Sequence, residues 1–301
     1  MSTSLDQIAD HAGRFAILAM DQRGTLRTML ERAGQPSSDH DLGQFKVDVI
    51  RALSPMASGV LTDVDHGVAA VRAARALDPQ AGLLIASERS PQPTWNGERR
   101  TEYSSAERGP RFVADNGGVA LKFLVRWRPD RPVGPGEPDL AREAIDAIAA
   151  VVADCREYGM PSVIEPLVTK PPNGEWLSPE QHKRLVIRSA ELLAALGPDL
   201  LKLEWPGDAD GCRELSKVCR NVPWALLSAG VAYEQFVERV RTAMDAGATG
   251  YIAGRAFWGE AVGLTGAERR HFLQGTARQR MAGLNAAIRG HGRSWREVAA
   301  Q

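Results

Sequence analysis

The sequence contains little cysteine, no excess of charge of either sign and no long apolar run. Its three cysteines, Cys155, Cys212 and Cys219, form neither a CxxC pair nor a zinc-binding spacing. Their odd number argues against a framework of disulfide bonds, and we expect free thiols in a reducing compartment. Lysine plus arginine and aspartate plus glutamate both number 37, so the formal net charge is zero. This balance gives no reason to expect nucleic acid or an anionic membrane surface as a partner.

The chain also lacks any stretch that resembles a membrane anchor or an export signal. No apolar run approaches the roughly 20 residues that a membrane-spanning helix needs. The stretch MSTSLDQIADHAGRF contains acidic residues and has no apolar centre of the kind found in signal peptides. We therefore expect a soluble, cytoplasmic protein. Its 301 residues, 44% of them hydrophobic, suffice for one α/β barrel or for two smaller domains.

Short apolar runs recur along the chain, and segments of helical length separate them. The runs are Phe15–Asp21, Gly59–Asp65, Gly82–Glu88, Gly118–Trp127, Pro161–Val168, Leu200–Pro206, Trp224–Gly230 and Gly250–Ala256. Such runs are typical of parallel strands that helices cover. They predict a single (β/α)8 barrel, a TIM barrel, over residues 1–301. A doubly wound sheet would use fewer strands, and MDQRGTL is not the glycine-rich nucleotide turn that usually follows its first strand.

One segment between two predicted strands carries signals for both ends of a helix. Ser178 is suited to the N-cap, Pro179 to the first helical position and Gln181 to a capping box. Apolar residues then recur at helical spacing until Gly197. The order of strand, helix, glycine and strand supports the barrel.

Polar residues concentrate at the C-terminal ends of the predicted strands, which begin with apolar residues or glycine. These polar residues are Asp21, Gln22, Arg23, Asp63, Asp65, Glu88, Lys122, Glu165, Lys202, Glu204, Ser228 and Arg255. Catalytic groups of barrel enzymes lie at the C-terminal ends of the strands. We therefore expect one functional site at this face of the barrel.

Two lysines lie inside apolar runs, Lys122 in ALKFL and Lys202 in LLKLE. A desolvated lysine beside a second cation loses proton affinity, and a neutral amine can attack a carbonyl to form a Schiff base. The alternative is a lysine whose stem covers apolar surface while its ammonium group reaches the rim. Glu165, on the strand between the two lysines, favours the catalytic interpretation.

Glu165 lies in the middle of the run SVIEPLV. A carboxyl group there can have a raised pKa and serve as a general acid or base. The alternative is an ion pair with one lysine that stabilises the barrel interior. Glu204 and Lys202 alternate with apolar residues, so both side chains should point to the same side of their strand. We expect Glu204 either to orient a lysine or to contact the substrate.

The last two predicted strands close with LLSAGV and IAGRAFW. Barrel enzymes frequently bind phosphate at the loops that follow these two strands. Ser228, Ala229 and Gly230 allow the backbone to approach a phosphate, and Gly254 with Arg255 adds a permanent cation with forked donors. We predict a phosphate site from these five residues.

The segment TDVDHG places Asp63, Asp65 and His66 close together and could suggest a metal site. Of the six histidines, however, only His66 lies near a predicted strand end. Because a catalytic metal needs more ligands, we expect neither a metal nor another cofactor. A strand lysine, a carboxylate and a phosphate site are the parts of a metal-independent aldolase. In it Lys202 would condense with a ketone, and Glu165 would move the hydroxyl proton.

The motifs AMDQRG, ALKFL, VIEPLV, LLKLEWP, LLSAGV and AGRAFW occur in this order over almost the whole chain. As a set they resemble the class I aldolases that include tagatose 1,6-bisphosphate aldolase and sulfofructosephosphate aldolase. The resemblance implies a barrel that forms a Schiff base on Lys202, releases dihydroxyacetone phosphate and assembles as a homo-oligomer. It also implies residues that contact substrate hydroxyls or move protons, namely Asp21, Gln22, Lys122 and Glu165, and a phosphate site that includes Ser228, Gly230 and Arg255. We add Arg23, Asp63 and Glu204 to the substrate-binding residues.

The substrate is expected to be a small sugar phosphate. The motifs LVRWRPD, IEPLVTKPP and GRAFWGEAVGL are closer to the sulfosugar branch, in which 6-deoxy-6-sulfofructose 1-phosphate yields sulfolactaldehyde. Gly24 in DQRGTL resembles the tagatose branch, so the alternative is cleavage of tagatose or fructose 1,6-bisphosphate to glyceraldehyde 3-phosphate. The loop 87–105 matches neither branch. The non-enzymatic alternative is a regulator that binds sugar phosphates on an aldolase scaffold.

Overall fold

The computed structural model of the protein describes residues 4–172 and 174–301, so residues 1–3 and 173 of the predicted 1–301 domain lie outside it. In chain order the strands are β1 (Phe15–Met20), β2 (Gly59–Asp63), β3 (Gly82–Ala86), β4 (Thr94–Trp95), β5 (Glu98–Arg99), β6 (Ala120–Trp127), β7 (Ser162–Val168), β8 (Leu200–Leu203), β9 (Trp224–Leu227) and β10 (Gly250–Ala253). All except β4 and β5 form one closed parallel barrel, in which each strand pairs with its neighbours in the chain and β10 closes on β1. The predicted (β/α)8 fold is confirmed.

Helices surround the barrel. They are α1 (Gly24–Arg32), α2 (Asp39–Leu53), α3 (Val68–Ala73), α4 (Ser105–Arg108), α5 (Pro110–Asp115), α6 (Leu140–Tyr158), α7 (Pro179–Ala194), α8 (Ala209–Cys219), α9 (Tyr233–Asp245), α10 (Arg255–Trp258), α11 (Gly266–Phe272), α12 (Arg278–Ala287) and α13 (Trp295–Ala299). Short 3-10 turns occupy Leu5–Ile8, Ser54–Met56 and Gly259–Gly263, and a π-helical turn occupies Leu273–Ala277. None of the helices in the described part of the chain has the length and apolar character that a bilayer span requires.

The start of α7 is the capping box that the sequence predicts. The Ser178 hydroxyl accepts a hydrogen bond from the Gln181 N–H at 3.2 Å, and the Gln181 side chain accepts one from the Ser178 N–H at 2.8 Å. Gly197 follows the helix with a φ of +71°, a conformation that costs glycine little because it has no Cβ. Local chemistry therefore sets both ends of this helix.

Six of the eight barrel strands end before the predicted apolar runs do, and only β6 and β7 end with them. Asp21, Glu88 and Glu204 lie past their strands in the loops at the C-terminal face, and Arg255 begins α10 there. Below them the barrel interior is apolar, with Ile17, Leu61, Leu84, Val163, Leu200 and Ile252 among its buried residues. Leu5 and Ile8 pack against this layer from below. The barrel is therefore filled with hydrocarbon at one end and carries its charges at the other.

The sequence did not reveal the hairpin formed by β4 and β5. It lies in the loop 87–105 between β3 and β6, where Thr94 pairs with Arg99 and Trp95 with Glu98. Ion pairs tie this loop to its surroundings: Arg100 contacts Glu143 of α6 at 2.7 Å, and Glu98 contacts Arg131 at 2.7 Å. The hairpin is therefore a fixed wall beside the mouth of the barrel.

Candidate active site

Two lysines and one carboxylate form the centre of the site. Glu165 of β7 lies between them: its Oε1 is 2.8 Å from Lys202 Nζ on β8, and its Oε2 is 2.9 Å from Lys122 Nζ on β6. All three side chains are buried. The register explains their meeting, because Ile164 pairs with Leu201, and the residues that follow are Glu165 and Lys202. The structure therefore brings these three residues together, as the sequence predicts.

Two further carboxylates surround Lys122. Its Nζ donates to Asp21 Oδ2 at 2.9 Å and approaches Glu88 Oε1 at 3.4 Å. Glu88 in turn forms an ion pair with Arg23 and accepts the Leu124 N–H at 3.0 Å. Glu88 was visible in the sequence as a polar strand end, but it was not assigned a role there. In the structure it links Arg23 to the lysine cluster.

Burial and charge oppose each other in this cluster. Burial by itself lowers the pKa of Lys122, but the neighbouring Asp21, Glu165 and Glu88 raise it well above its ordinary value. Burial likewise raises the pKa of Glu165, yet the charges of Lys122 and Lys202 outweigh it and lower the pKa. The pKa of Asp21 is lowered for the same reason, with Lys122 the largest favourable charge.

The expectation that Glu165 has a raised pKa is therefore wrong for the protein without substrate. Two cations hold the carboxyl group in its charged form, because each lies within hydrogen-bonding distance of one of its oxygens. A carboxylate held in this way can accept a proton but does not carry one at neutral pH. Glu165 is thus prepared as a base.

Asp63 does not reach the site, contrary to its assignment as a substrate-binding residue. It is fully buried and forms an ion pair with Lys46 of α2, and its Oδ1 accepts the His66 N–H at 2.8 Å. Lys46 also donates to Gln22 O at 2.7 Å and to Met20 O at 3.0 Å. The buried pair therefore holds the backbone at the end of β1, from Met20 to Gln22, in place.

Sequence reasoning missed Lys46, although a signal was present. It is fully buried on the same helical face as Leu42, Val49 and Leu53, where an apolar residue is the usual choice. A lysine on the apolar stripe of a helix requires a buried acceptor, and only the fold identifies Asp63 as that acceptor.

Glu204 is also placed differently from the expectation. Strand β8 ends at Leu203, so Glu204 no longer alternates with Lys202 along a strand. Its Oε2 accepts the Val168 N–H at 2.7 Å, and its Oε1 lies 3.5 Å from His182 Nε2 on α7. Glu204 thus ties the ends of β7 and β8 together rather than orienting Lys202 or Lys122.

The five residues predicted to bind phosphate lie together at the ends of β9 and β10. A Cβ built on Gly230 would lie 3.0 Å from Arg255 Cζ, and both Ala229 and Gly230 have positive φ values. Ser228 is buried, and Gly254 precedes Arg255 at the start of α10. Within the described residues, the Arg255 guanidinium has no hydrogen-bond or ion-pair partner. It is therefore available to an anion.

A cavity of about 700 Å³ opens above the lysines. The predicted site residues that line it are Asp21, Gln22, Arg23, Lys122, Glu165, Lys202 and Arg255. The other predicted site residues are not part of its lining, namely Asp63, Glu204, Ser228, Ala229, Gly230 and Gly254. Gln92, Arg99 and Arg126 also line the cavity, and the sequence analysis assigned them no role.

The acids of TDVDHG are occupied by cations of the protein itself. Asp63 pairs with Lys46, while Asp65 contacts Arg23 at 2.8 Å and Arg108 at 3.2 Å. In residues 4–172 and 174–301, no group of three or more histidine, cysteine, aspartate or glutamate side chains could hold a metal ion. All three cysteines are buried and free. The donor set at this face is that of amine and carboxylate chemistry.

Comparison with known proteins gives a family. A family model described as DeoC/LacD family aldolase matches residues 15–260. The tagatose 1,6-diphosphate aldolase of Listeria monocytogenes serotype 4a is 28% identical over 87% of this chain and 82% of its own length. The tagatose 1,6-diphosphate aldolase 2 of Enterococcus faecalis is 27% identical over 97% of this chain and 94% of its own. A solved Schiff-base-forming fructose-1,6-bisphosphate aldolase superposes with a TM-score of 0.59 at 20% identity, covering 90% of this chain and 95% of that one.

Proposed function

This chain belongs to the DeoC/LacD family of aldolases, and from that premise we propose that it cleaves a ketohexose 1-phosphate through a Schiff base on Lys202. The observation that carries the proposal is the carboxylate of Glu165, which bridges Lys202 and Lys122 at the floor of the cavity. A lysine amine, an adjacent base and a cation available to phosphate are the groups that this chemistry requires.

The proposed reaction begins at Lys202. Its amine, after loss of a proton to the contacting Glu165, attacks the ketone carbon C2 of the sugar phosphate. Water leaves, and a protonated imine forms between Nζ and C2. The positive nitrogen attracts electrons from the neighbouring bonds, which prepares the bond between C3 and C4 for cleavage.

Glu165 is the proposed base for cleavage. Glu165 first returns its proton to the C2 hydroxyl of the carbinolamine, which leaves as water. Its carboxylate then accepts the proton of the C4 hydroxyl, and the C3–C4 electrons move to the imine to give an enamine. The C4–C6 fragment leaves as an aldehyde. Protonation of the enamine at C3 and hydrolysis then release dihydroxyacetone phosphate and restore the amine. Lys122 keeps Glu165 charged between turnovers, since its Nζ remains 2.9 Å from Oε2.

Arg255 is the proposed anchor for the C1 phosphate. Its guanidinium lines the cavity and packs against Gly230, where a Cβ would lie only 3.0 Å from Arg255 Cζ, so the glycine leaves room for the arginine side chain. A phosphate held at this point fixes the distance from C1 to Lys202. Binding energy remote from the breaking bond then contributes to orientation at C2.

Two classes of candidate substrate differ in the anion on C6 of the sugar. The names of the relatives reported above support tagatose or fructose 1,6-bisphosphate, with glyceraldehyde 3-phosphate as the aldehyde. The motifs LVRWRPD and GRAFWGEAVGL support 6-deoxy-6-sulfofructose 1-phosphate, with sulfolactaldehyde as the aldehyde. Both are ketohexose 1-phosphates with an anion on C6. A panel of the three sugars, compared by kcat/KM, decides between them.

The test is to trap the imine. The protein is incubated with dihydroxyacetone phosphate, reduced with borohydride and digested for peptide mass spectrometry. We expect a reduced adduct on Lys202, and no loss of adduct when a chelator is present. Lys202→Ala should form none, whereas Lys217→Ala, which removes an exposed lysine of α8, should behave as the parent protein.

Binding without an adduct would overturn the proposal. It would favour a regulator that recognises the same sugar phosphates without chemistry. The homo-oligomer implied by the resemblance also stays a prediction, and light scattering of the purified protein measures it.

A further inference from the structure

The loop 87–105 forms one wall of the cavity, and Gln92 is its most informative residue. Strand β3 ends at Ala86, whereas its neighbour β6 continues to Trp127. Among residues 4–172 and 174–301, no strand pairs with the backbone of β6 on that side beyond Ala86. Side chains of the loop take the place of a strand: Glu88 Oε2 accepts the Leu124 N–H at 3.0 Å, and Gln92 Nε2 donates to Leu124 O at 3.1 Å.

The hydrogen bond from Nε2 to Leu124 O orients the Gln92 amide, and the amide oxygen Oε1 takes no part in it. Gln92 lines the cavity, and its Oε1 is a buried atom with no hydrogen-bond partner in the part of the chain that the structure describes. A buried acceptor without a donor is unfavourable and rare in folded proteins. A ligand hydroxyl that enters the cavity can supply the missing donor.

Arg126 lies further up the same wall. It follows Lys122 and Leu124 on one face of β6, so its Cα is about 13 Å from that of Lys122 at the usual rise of a strand. The side chain lines the cavity and is partly buried, and no described residue forms an ion pair or hydrogen bond with its guanidinium. A permanent cation in this position is suited to a terminal anion.

The wall is rigid before any ligand arrives. Arg99 Nη1 donates to Gln92 O at 3.1 Å, so the hairpin holds the backbone of Gln92 directly. Arg131 pairs with Glu98 at 2.7 Å and also stacks over Trp95, with 5.1 Å from its Cζ to the ring centroid. A group that is held in place in the free protein loses little entropy when it binds.

We propose that Gln92 and Arg126 bind the aldehyde half of the substrate. Gln92 Oε1 accepts a hydrogen bond from a hydroxyl of the C4–C6 fragment, and Arg126 pairs with a phosphate or sulfonate on C6. The ligand class is a short hydroxyaldehyde with a terminal anion. This assignment rests on the proposed function, which it extends from the ketone half of the substrate to the aldehyde half.

The test uses the reverse reaction, condensation of dihydroxyacetone phosphate with an added aldehyde. Glyceraldehyde 3-phosphate, sulfolactaldehyde and uncharged glyceraldehyde are compared by kcat/KM. Arg126→Met should lower the preference for the charged aldehydes over glyceraldehyde by about tenfold or more. Gln92→Met should lower kcat/KM about tenfold for all three aldehydes, since each carries a hydroxyl. The better of the two charged aldehydes identifies whether phosphate or sulfonate is the natural group.

Two matched controls exclude general damage. Arg142→Met and Gln80→Met change exposed residues of the same type outside the cavity lining and should behave as the parent protein. Imine trapping with dihydroxyacetone phosphate alone should be unchanged in Arg126→Met and Gln92→Met, because the ketone half binds elsewhere. Arg126→Lys keeps the charge and should retain part of the preference.

The outcomes separate this inference from the function on which it rests. An unchanged preference in folded Arg126→Met, together with unchanged kcat/KM in Gln92→Met, would overturn the assignment. If the parent protein forms no imine, the proposed function fails, and calorimetry with glyceraldehyde 3-phosphate then tests the site by itself. Weaker binding by Arg126→Met would support the site in that case, and equal binding would refute it.

Discussion

Glu165 Oε1 lies 2.8 Å from Lys202 Nζ, and both groups are buried at the C-terminal end of the barrel. The other oxygen of the same carboxylate contacts Lys122. Two lysines therefore share one carboxylate. Lys202 has an adjacent proton acceptor, and Lys122 keeps that acceptor in its charged form. The predictions below test this arrangement and the network around it.

The first prediction contrasts two glutamates that the sequence placed in one site. Glu165→Gln removes the base and should lower kcat about a hundredfold or more. Glu204→Gln keeps an oxygen that can accept the Val168 N–H, so it should retain near-parental kcat and KM. Steady-state cleavage assays of the two variants measure both values. Equal losses in the two variants would contradict the geometry described for Glu204.

The second prediction concerns the pH dependence of stability. The pKa values of Asp21 and Glu165 are lowered in the folded protein from ordinary values of 3.8 and 4.5. The stabilisation is therefore present above these ordinary values and is lost as the pH falls below them. Lys122 has a raised pKa, so its own contribution is complete below its ordinary value of 10.5.

Lys122→Met leaves several buried carboxylates without their common cation. It should lower the free energy of unfolding by about 3–5 kcal/mol at neutral pH. The difference from the parent protein should shrink as the pH falls toward the ordinary pKa values of 3.8 and 4.5 and below, because the carboxyl groups of the variant, which lack this cation, then take up protons. Denaturant unfolding at a series of pH values measures this difference. A difference that does not vary with pH would show that lost packing, not charge, explains the effect.

The third prediction tests the buried pair of Lys46 and Asp63. Lys46→Met leaves the Asp63 charge uncompensated and removes the donor to Gln22 O and Met20 O. We expect a loss of about 3–5 kcal/mol in the free energy of unfolding. The double variant Lys46→Met/Asp63→Leu should regain part of it, because no isolated charge remains. Denaturant titrations of the two variants and the parent provide the comparison, and equal stability of single and double variants would argue against the pair.

The same pair gives a functional readout. The segment that carries Asp21, Gln22 and Arg23 rests on Lys46, so a folded double variant should show reduced kcat although neither residue lines the cavity. Had Asp63 bound substrate directly, Asp63→Asn would raise KM. We expect Asp63→Asn to lower stability and to leave KM within about twofold.

The fourth prediction addresses the phosphate site. Arg255→Met should weaken binding of dihydroxyacetone phosphate by about ten- to a hundredfold, since a hydrogen bond to a charged group contributes about 1.5–3 kcal/mol. Calorimetry with the ligand measures the change. Arg213→Met, an exposed arginine that pairs with Asp210, is the matched control. Unchanged binding in Arg255→Met would place the phosphate elsewhere in the cavity.

Much of the site could be predicted because two periodicities in the sequence are strong. Strand-length apolar runs recur between helical segments, and each run carries a polar residue in its C-terminal half. In a parallel barrel the C-terminal halves of all strands meet at one face, so the sequence alone places Lys122, Glu165 and Lys202 together. The signals for helix α7 were equally local, because the Ser178 cap bonds within its own first turn.

Other residues could not be assigned because their roles depend on where strands stop and what lies behind them. Glu204 does not continue the alternation of its strand, because β8 ends at Leu203. Its carboxylate accepts a hydrogen bond from Val168 of the neighbouring strand β7 instead. Gln92 gained its role only because β3 is shorter than β6 and leaves Leu124 O without a strand partner. Neither strand length is encoded in the local spacing of residues.

The sequence by itself determined the barrel, the order of its strands and the face that carries the charges, since periodicity and strand polarity are properties of consecutive residues. The tertiary structure decided which charge meets which. Burial of Lys46 against Asp63, and of Glu165 between two lysines, depends on side chains that are distant in the chain and meet in a medium of low polarity. A buried charge is costly unless its partner is buried beside it, and the folded barrel brings these partners together.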